Sequence, residues 1–198
     1  MRPLLSRPAV YSAFQRLMGG RRARARFARD FIRARAGMTV LDLGCGPADI
    51  LDHLHDVDYW GFDISAAYVE RARARFGGRG RFHDHALAAA ELDTLPSFDV
   101  VLALGLIHHL DDAEALAVIR LAHRALRPGG RLVTADPCLQ PGQNPIARFL
   151  VSRDRGHNVR DEAAYAALAR AVFPSLRVEV RDQAWIPYTH CFMECTRA

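Results

Sequence analysis

"VLDLGCGPADIL", residues 40–51, decides how the rest of the chain is read. Its apolar run reaches Asp42, breaks into Gly44-Cys45-Gly46-Pro47 and resumes as a short helix near 48–55. A strand that ends in a glycine-rich turn and feeds a helix brings bare backbone close to a ligand. "TVLDL" is almost continuously apolar, which suits a parallel strand covered on both faces. Outward from it, strands and helices alternate. "DYWGFD" reads as a strand, 66–76 as a helix, "RFHDH" as a third strand and "FDVVLAL" as a fourth. The amphipathic stretch 112–127 reads as a helix that Pro128-Gly129-Gly130 ends, and "RLVTAD" as a fifth strand. A helix over 161–172 and two strands, "LRVEVRDQAW" and "THCFMECTR", complete the chain. This alternation specifies an open α/β sheet with helices on both faces and an antiparallel hairpin at its end.

Before Gly37 the pattern is helical. Val10, Tyr11, Phe14, Leu17 and Met18 recur at three- and four-residue spacing, and Gly19-Gly20 stops them. A second helix, Arg21 to about Arg35, puts Phe27, Phe31 and Ile32 on one side. The expected organisation is a helical cap over 1–36 and one α/β unit over 37–198, a size that buries a continuous core. The segment 137–160 stands out as a long, polar, proline-broken connection, and connections of that length are usually functional.

No apolar run is long enough to span a bilayer, and "MRPLLSRPAVYSAF" lacks the apolar core of a secretion signal. Cys45, Cys138, Cys191 and Cys195 show no disulfide spacing and read as reduced, in keeping with a cytoplasmic protein. The net charge of +5 rests on arginine alone, since the sequence contains no lysine. Residues 1–35 hold ten arginines against one acid, Asp30. No aromatic residues alternate with these arginines to stack on bases, so a solvated helical face is the reading and a nucleic acid is not the expected partner.

In such sheets ligands bind beyond the C-terminal ends of the strands, where strand order reverses. A dinucleotide turn wants a small residue where G-C-G-P-A-D has Asp49, at the position a pyrophosphate would occupy. Asp42 and Asp49 bracketing the turn favour a ligand with positive charge and no phosphate, as in S-adenosyl-L-methionine with its sulfonium and ammonium. Asp63 ends the second strand, placed to accept from ribose hydroxyls. Asp84 ends the third, between His83 and His85.

"VLDLGCGPADI", "GFDIS", "FDVVLALGLIHHL" and "ALRPGGRLV", in that order, resemble the class I S-adenosylmethionine-dependent methyltransferases, in style the small-molecule enzymes of ubiquinone and menaquinone biosynthesis. The likeness covers roughly residues 38–136 and departs at Ala48, where many relatives have a third glycine. It implies a Rossmann-like, doubly wound, seven-stranded, mostly parallel sheet with S-adenosylmethionine as cofactor and S-adenosylhomocysteine as product. It further implies that the Gly44-Cys45-Gly46 turn passes under the methionine part. Asp42 would order the loop, Asp63 hold the ribose, Ile64 pack on adenine, Asp84 address its amino group and Leu104 offer its carbonyl to the ammonium.

Methyl transfer from a sulfonium needs mainly alignment, and a base only if the acceptor must lose a proton. His108 and His109 follow the fourth strand at the rim, and His109 is slightly favoured as that base. Tyr11, Phe14 and Gln15 on the N-terminal helices are the expected lid; Arg155, His157 and Tyr188 are further candidates for the acceptor site. The histidine and cysteine pairs lack the companion ligands of a zinc site, so no metal is expected. A chain this short, without a large recognition domain, suits a small-molecule acceptor. Alternatives are an RNA or protein methyltransferase using the basic arm, or a non-catalytic cofactor-binding module.

Overall fold

The computed structural model describes residues 20–152, 156–183 and 188–198. Eight strands lie in these residues: β1 (Thr39–Leu43), β2 (Asp58–Phe62), β3 (Gly80–His83), β4 (Phe98–Leu104), β5 (Leu126–Leu139), β6 (Arg160–Asp161), β7 (Ser175–Gln183) and β8 (Tyr188–Thr196). Five α-helices join them: α1 (Gly20–Phe27), α2 (Ala66–Phe76), α3 (Asp112–Ala125), α4 (Pro145–Ser152) and α5 (Glu162–Arg170). The strand order is β3-β2-β1-β4-β5-β8-β7, with the two-residue β6 paired to the far end of β5. Only β8 runs against its neighbours, wedged between β5 and β7. The expected mostly parallel sheet with a terminal antiparallel hairpin is therefore present.

Period-two alternation sorts the core into two layers. On one face Leu41, Leu43, Val101 and Ala103 meet Ile119 of α3 and Tyr165 of α5. On the other, Val40, Val100 and Leu102 share a cluster with Phe31, Ile32, Val69 and Phe76. Helix starts are capped by side chains. Asp111 and Glu114 form a reciprocal capping box on α3, Asp161 accepts from the Ala164 N–H on α5, and Asn144 accepts from the Ile146 N–H on α4.

Several elements differ from the sequence expectation. The helix expected to about Arg35 ends at Phe27, passes through a π-helical turn (Ala28–Ile32) and stops at Arg33, whose φ is 47°. That turn buries Phe31 and Ile32, each worth roughly 1.5–3 kcal/mol, and Arg131 donates to both of their carbonyls, at 3.2 and 2.9 Å. The helix near 48–55 is a 3-10 turn, Asp49–His53. The connection 137–160 is largely built structure, holding the end of β5, all of α4 and the start of β6. The described part of the expected cap, 20–36, packs on the sheet through Phe27 and Phe31 against Phe192. Tyr11, Phe14, Gln15 and Arg155 lie outside the described residues. Among the described residues no helix is long and apolar enough to cross a membrane.

Candidate active site

Strand order reverses between β2-β1 and β1-β4, and the glycine turn lies there, just past the C-terminal end of β1. The N–H groups of Gly44 and Cys45 both donate to the carbonyl of Phe62, at 2.8 and 3.0 Å, lashing the turn to β2. Gly44 has φ +70°, and a Cβ there would stand 3.1 Å from Leu106 Cδ1. Gly46 has φ +53°, and a Cβ there would meet no atom within 4 Å, so this backbone faces open space. Asp63 completes the clamp: Oδ2 accepts from the Gly46 N–H and Oδ1 from the Ser65 N–H, both at 2.8 Å. A carboxylate has about four lone-pair sites, so two remain for other donors. Ala48, which stands where the resembled methyltransferases often have a third glycine, takes φ +55° and is fully buried. A left-handed alanine is strained, and the burial of its methyl group offsets part of that cost.

Asp42 lies beneath the turn at 2 % exposure. Its Oδ2 accepts from the Tyr59 hydroxyl at 2.5 Å, while Oδ1 has no hydrogen bond among the described residues. Burial pushes its carboxyl up to about 7, against the Tyr59 hydrogen bond and with a smaller push from the Asp63 charge. The folded state therefore holds this proton more tightly than the unfolded chain does. The stability it confers is complete below about pH 4 and lost as pH rises through about 7. Asp42→Asn removes the charge, so urea melts should show the variant gaining on the parent by on the order of 1–3 kcal/mol between pH 5 and pH 8. A difference that does not change with pH would place the ionisation elsewhere.

The remaining cofactor candidates line the same rim. Ile64 is 81 % exposed although it is large and apolar. Asp84 is exposed with Arg73 at 3.6 Å, and His85 pairs instead with Glu91 at 2.8 Å. Leu104 closes β4, paired with Ala135. Asp49 is a different matter, because Arg75 and Arg24 reach it at 2.7 and 3.5 Å. Its charge is already met, so the preference for a cationic ligand rests on Asp42 and Asp63.

The consecutive histidines part company on the 3-10 turn Ile107–His109. His109 is exposed, whereas His108 is buried, its Nδ1 2.8 Å from Asp136 Oδ1. The same oxygen accepts the His108 backbone N–H at 3.1 Å. An ionised carboxylate only accepts, so beside one the tautomer that completes this bond is the one with the proton on Nδ1. The structure thus gives the two histidines, between which the sequence favours His109 slightly, different surroundings. The ring sits between two glycines: a Cβ on Gly105 would stand 3.7 Å from Cε1, and one on Gly156 only 2.0 Å from Cδ2. Arg160 holds the turn from outside, donating to the carbonyls of Ile107 and Leu110 at 3.1 and 2.8 Å and to Asp112.

Sequence reasoning missed Asp136, although it ends the stretch "RLVTAD" read as a strand; in the structure β5 runs on past it to Leu139. It also missed Tyr59 behind Asp42 and Gly156 against His108, for which the sequence carries no local signal. His157 is exposed; Tyr188 is half-buried, with its ring 5.0 Å from that of His190.

Residues 41–132 match a family described as "Methyltransferase domain". Over 114 residues, 54% of this chain and 41% of the relative, the sequence is 42% identical to a 27-O-demethylrifamycin SV methyltransferase of Amycolatopsis mediterranei. Over 124 residues, 58% of this chain and 46% of the relative, it is 35% identical to the O-methyltransferase resE of Aspergillus sclerotiorum. The chain thus spans less than half the length of these two curated relatives. Among solved structures, Haemonchus contortus phosphoethanolamine N-methyltransferase 2 in complex with S-adenosyl-L-methionine superposes with a TM-score of 0.69. That match is 16% identical and covers 89% of this chain and 52% of that one, a likeness of fold. Neither these relatives nor this structure is named for quinone biosynthesis.

Proposed function

We propose that this chain, whose residues 41–132 match a family described as a methyltransferase domain, transfers a methyl group from S-adenosylmethionine to a small-molecule acceptor. The observation that carries the reading is the clamp of Asp63 on Gly46 at the point where strand order reverses. The residues fit such a cofactor. The Gly46 backbone faces open space, Asp63 keeps lone pairs for hydroxyl donors, and the buried Asp42 has an oxygen without a partner. Ile64 offers an exposed apolar surface beside Asp63, suited to a flat base. When bound, the cofactor supplies an already activated methyl group.

What the chain's own residues add is alignment and a proton acceptor. Holding the reacting groups in line is worth roughly 7–11 kcal/mol. His108, with Nδ1 tied to Asp136, presents a fixed tautomer for taking a proton from the acceptor. Small acceptors also suit the charge distribution: Arg24, Arg29 and Arg33 of the basic arm spend their guanidinium groups on Asp49, Asp30 and Glu194. Calorimetry with S-adenosylmethionine, S-adenosylhomocysteine and NAD in parallel tests the reading. Micromolar binding of the first two and no heat with NAD is the expected result; tight NAD binding would overturn it.

A further inference from the structure

We propose that this chain forms a twofold dimer through the outer edge of β7, the second copy's β7 lying antiparallel against it with Val178 on the axis. The proposal does not depend on the methyl-transfer reading above. β7 is the last strand of the sheet and, among the described residues, pairs only with β8. It runs for nine residues, Ser175–Gln183, and keeps one register against β8 from end to end. Its outer N–H and C=O groups therefore form a regular template, on an edge of the kind that proteins otherwise blunt with prolines, bulges or short strands.

The side chains of β7 say what completes that edge. Leu176, Val178 and Val180 are half-buried on the face that carries α5, where a groove of about 620 Å³ runs between α5 and β7. Arg177, Glu179 and Arg181 alternate with them on the other face. With Val178 opposite Val178 of the second copy, Arg177 faces the second copy's Glu179 and Leu176 its Val180, each twice by symmetry. Charge meets opposite charge on one face, and aliphatic meets aliphatic on the other. Directly opposite residues have Cβ atoms about 4.5–5.5 Å apart, within reach of an ion pair or an apolar contact.

Arg177 already stands opposite Glu194 of β8, so charge signs alternate along the row Glu194, Arg177 and the second copy's Glu179. Glu179 holds Arg177 and Arg181 of its own strand at 3.1 and 2.5 Å. A carboxylate has about four lone-pair sites and can accept a further guanidinium. Other registers fail. Sliding the second copy two residues one way opposes Glu179 to itself, and the other way Arg177 to itself; like charges directly opposite are destabilising. A one-residue slip moves the aliphatic side chains to the charged face. Because β7 runs parallel to β5 and β1, antiparallel pairing points the two glycine turns to opposite ends of the joined sheet. Each site stays open.

Sedimentation equilibrium of the full chain, from about 1 to 200 μM, tests this, and the parent should dimerise with a dissociation constant of about 100 μM or tighter. Arg177→Glu and Glu179→Arg should each weaken dimerisation at least about tenfold. The double variant Arg177→Glu/Glu179→Arg should restore it, and an equimolar mixture of the two single variants should form the heterodimer. The native cysteines are buried, so an introduced thiol reads the register: under diamide, Val178→Cys should cross-link the copies and Ser175→Cys should not. A parent that stays monomeric at the highest concentration, or a dimer indifferent to both single charge reversals, would overturn the proposal. So would cross-linking through Ser175→Cys but not Val178→Cys, or a double variant that melts in urea like the parent yet stays monomeric.

Discussion

Replacing His108 with glutamine is expected to lower turnover by about 10²–10⁴ while leaving S-adenosylhomocysteine affinity nearly unchanged. Glutamine cannot take up a proton and carries its amide about where Nε2 stands, while His108→Asn carries its amide where Nδ1 stands and keeps a donor for Asp136, so the two together separate chemistry from packing. That separation matters because simple truncation would strand a buried carboxylate, and breaking a buried pair from one side typically costs about 3–5 kcal/mol. Asp136→Asn should also depress turnover, since an amide no longer dictates which ring nitrogen carries the proton. Gly156→Ala offers an independent route to the same defect. The added methyl would lie 2.0 Å from His108 Cδ2 and 2.6 Å from the His108 carbonyl oxygen, so the histidine must move. The acidic limb of the pH–rate profile should flatten in the glutamine variant and persist in His109→Gln. Near-normal turnover in His108→Gln, and in its double variant with His109→Gln, would mean that alignment alone drives the reaction.

The different surroundings of the two histidines mark where the sequence stops being informative. Long, strongly patterned elements were legible almost to the residue: "FDVVLAL" became β4 over Phe98–Leu104, and the amphipathic 66–76 became α2. Their apolar spacing reflects local burial, which a window of sequence records. The position of Asp63 just past β2 was legible for a related reason, because an acid at a strand end is placed by the strand itself. The misreadings have physical causes as well. Pro128-Gly129-Gly130 does follow the end of α3 at Ala125, but the strand expected from Arg131 begins already at Leu126 and runs through these residues, with a register shift against β4 between Phe98 and Val100. A Cβ on Gly130 would come within 2.9 Å of the Phe98 carbonyl, so here glycine permits close strand approach rather than ending an element. Pro145 breaks the connection on paper, but it occupies the first turn of α4, where its missing N–H costs nothing. His108 and His109 differ only in which way a three-residue turn faces, and the partner that distinguishes them lies 28 residues away. Contacts across that distance leave no periodic trace in one sequence.

Asp63 carries the second large effect. Sequence reasoning gives this residue a single task, binding the ribose, and so expects little change in stability on its removal. The structure gives it two, because its oxygens also accept the backbone N–H groups of Gly46 and Ser65 at 2.8 Å each. Asp63→Ala should therefore weaken cofactor binding by at least the usual worth of charged hydrogen bonds, about 1.5–3 kcal/mol, or roughly tenfold to 150-fold in dissociation constant. The loss includes a preorganisation component, since without the clamp the Gly46 backbone must be ordered at the expense of binding. Asp63→Asn separates the contributions. Its amide oxygen can still accept one backbone N–H, so the turn keeps part of its tether, while the charge and one acceptor are gone. The expected order of affinity for S-adenosylhomocysteine is parent, then Asn, then Ala. Urea stability should follow the same order in the absence of ligand, with Ala lower by about 1–2 kcal/mol for two backbone groups that lose a charged acceptor. Hydrogen exchange at the Gly46 amide reads the clamp directly and should accelerate in Asp63→Ala before any ligand is added. An unchanged dissociation constant together with faster exchange at Gly46 would make Asp63 a loop tether alone and move the ribose elsewhere on the rim.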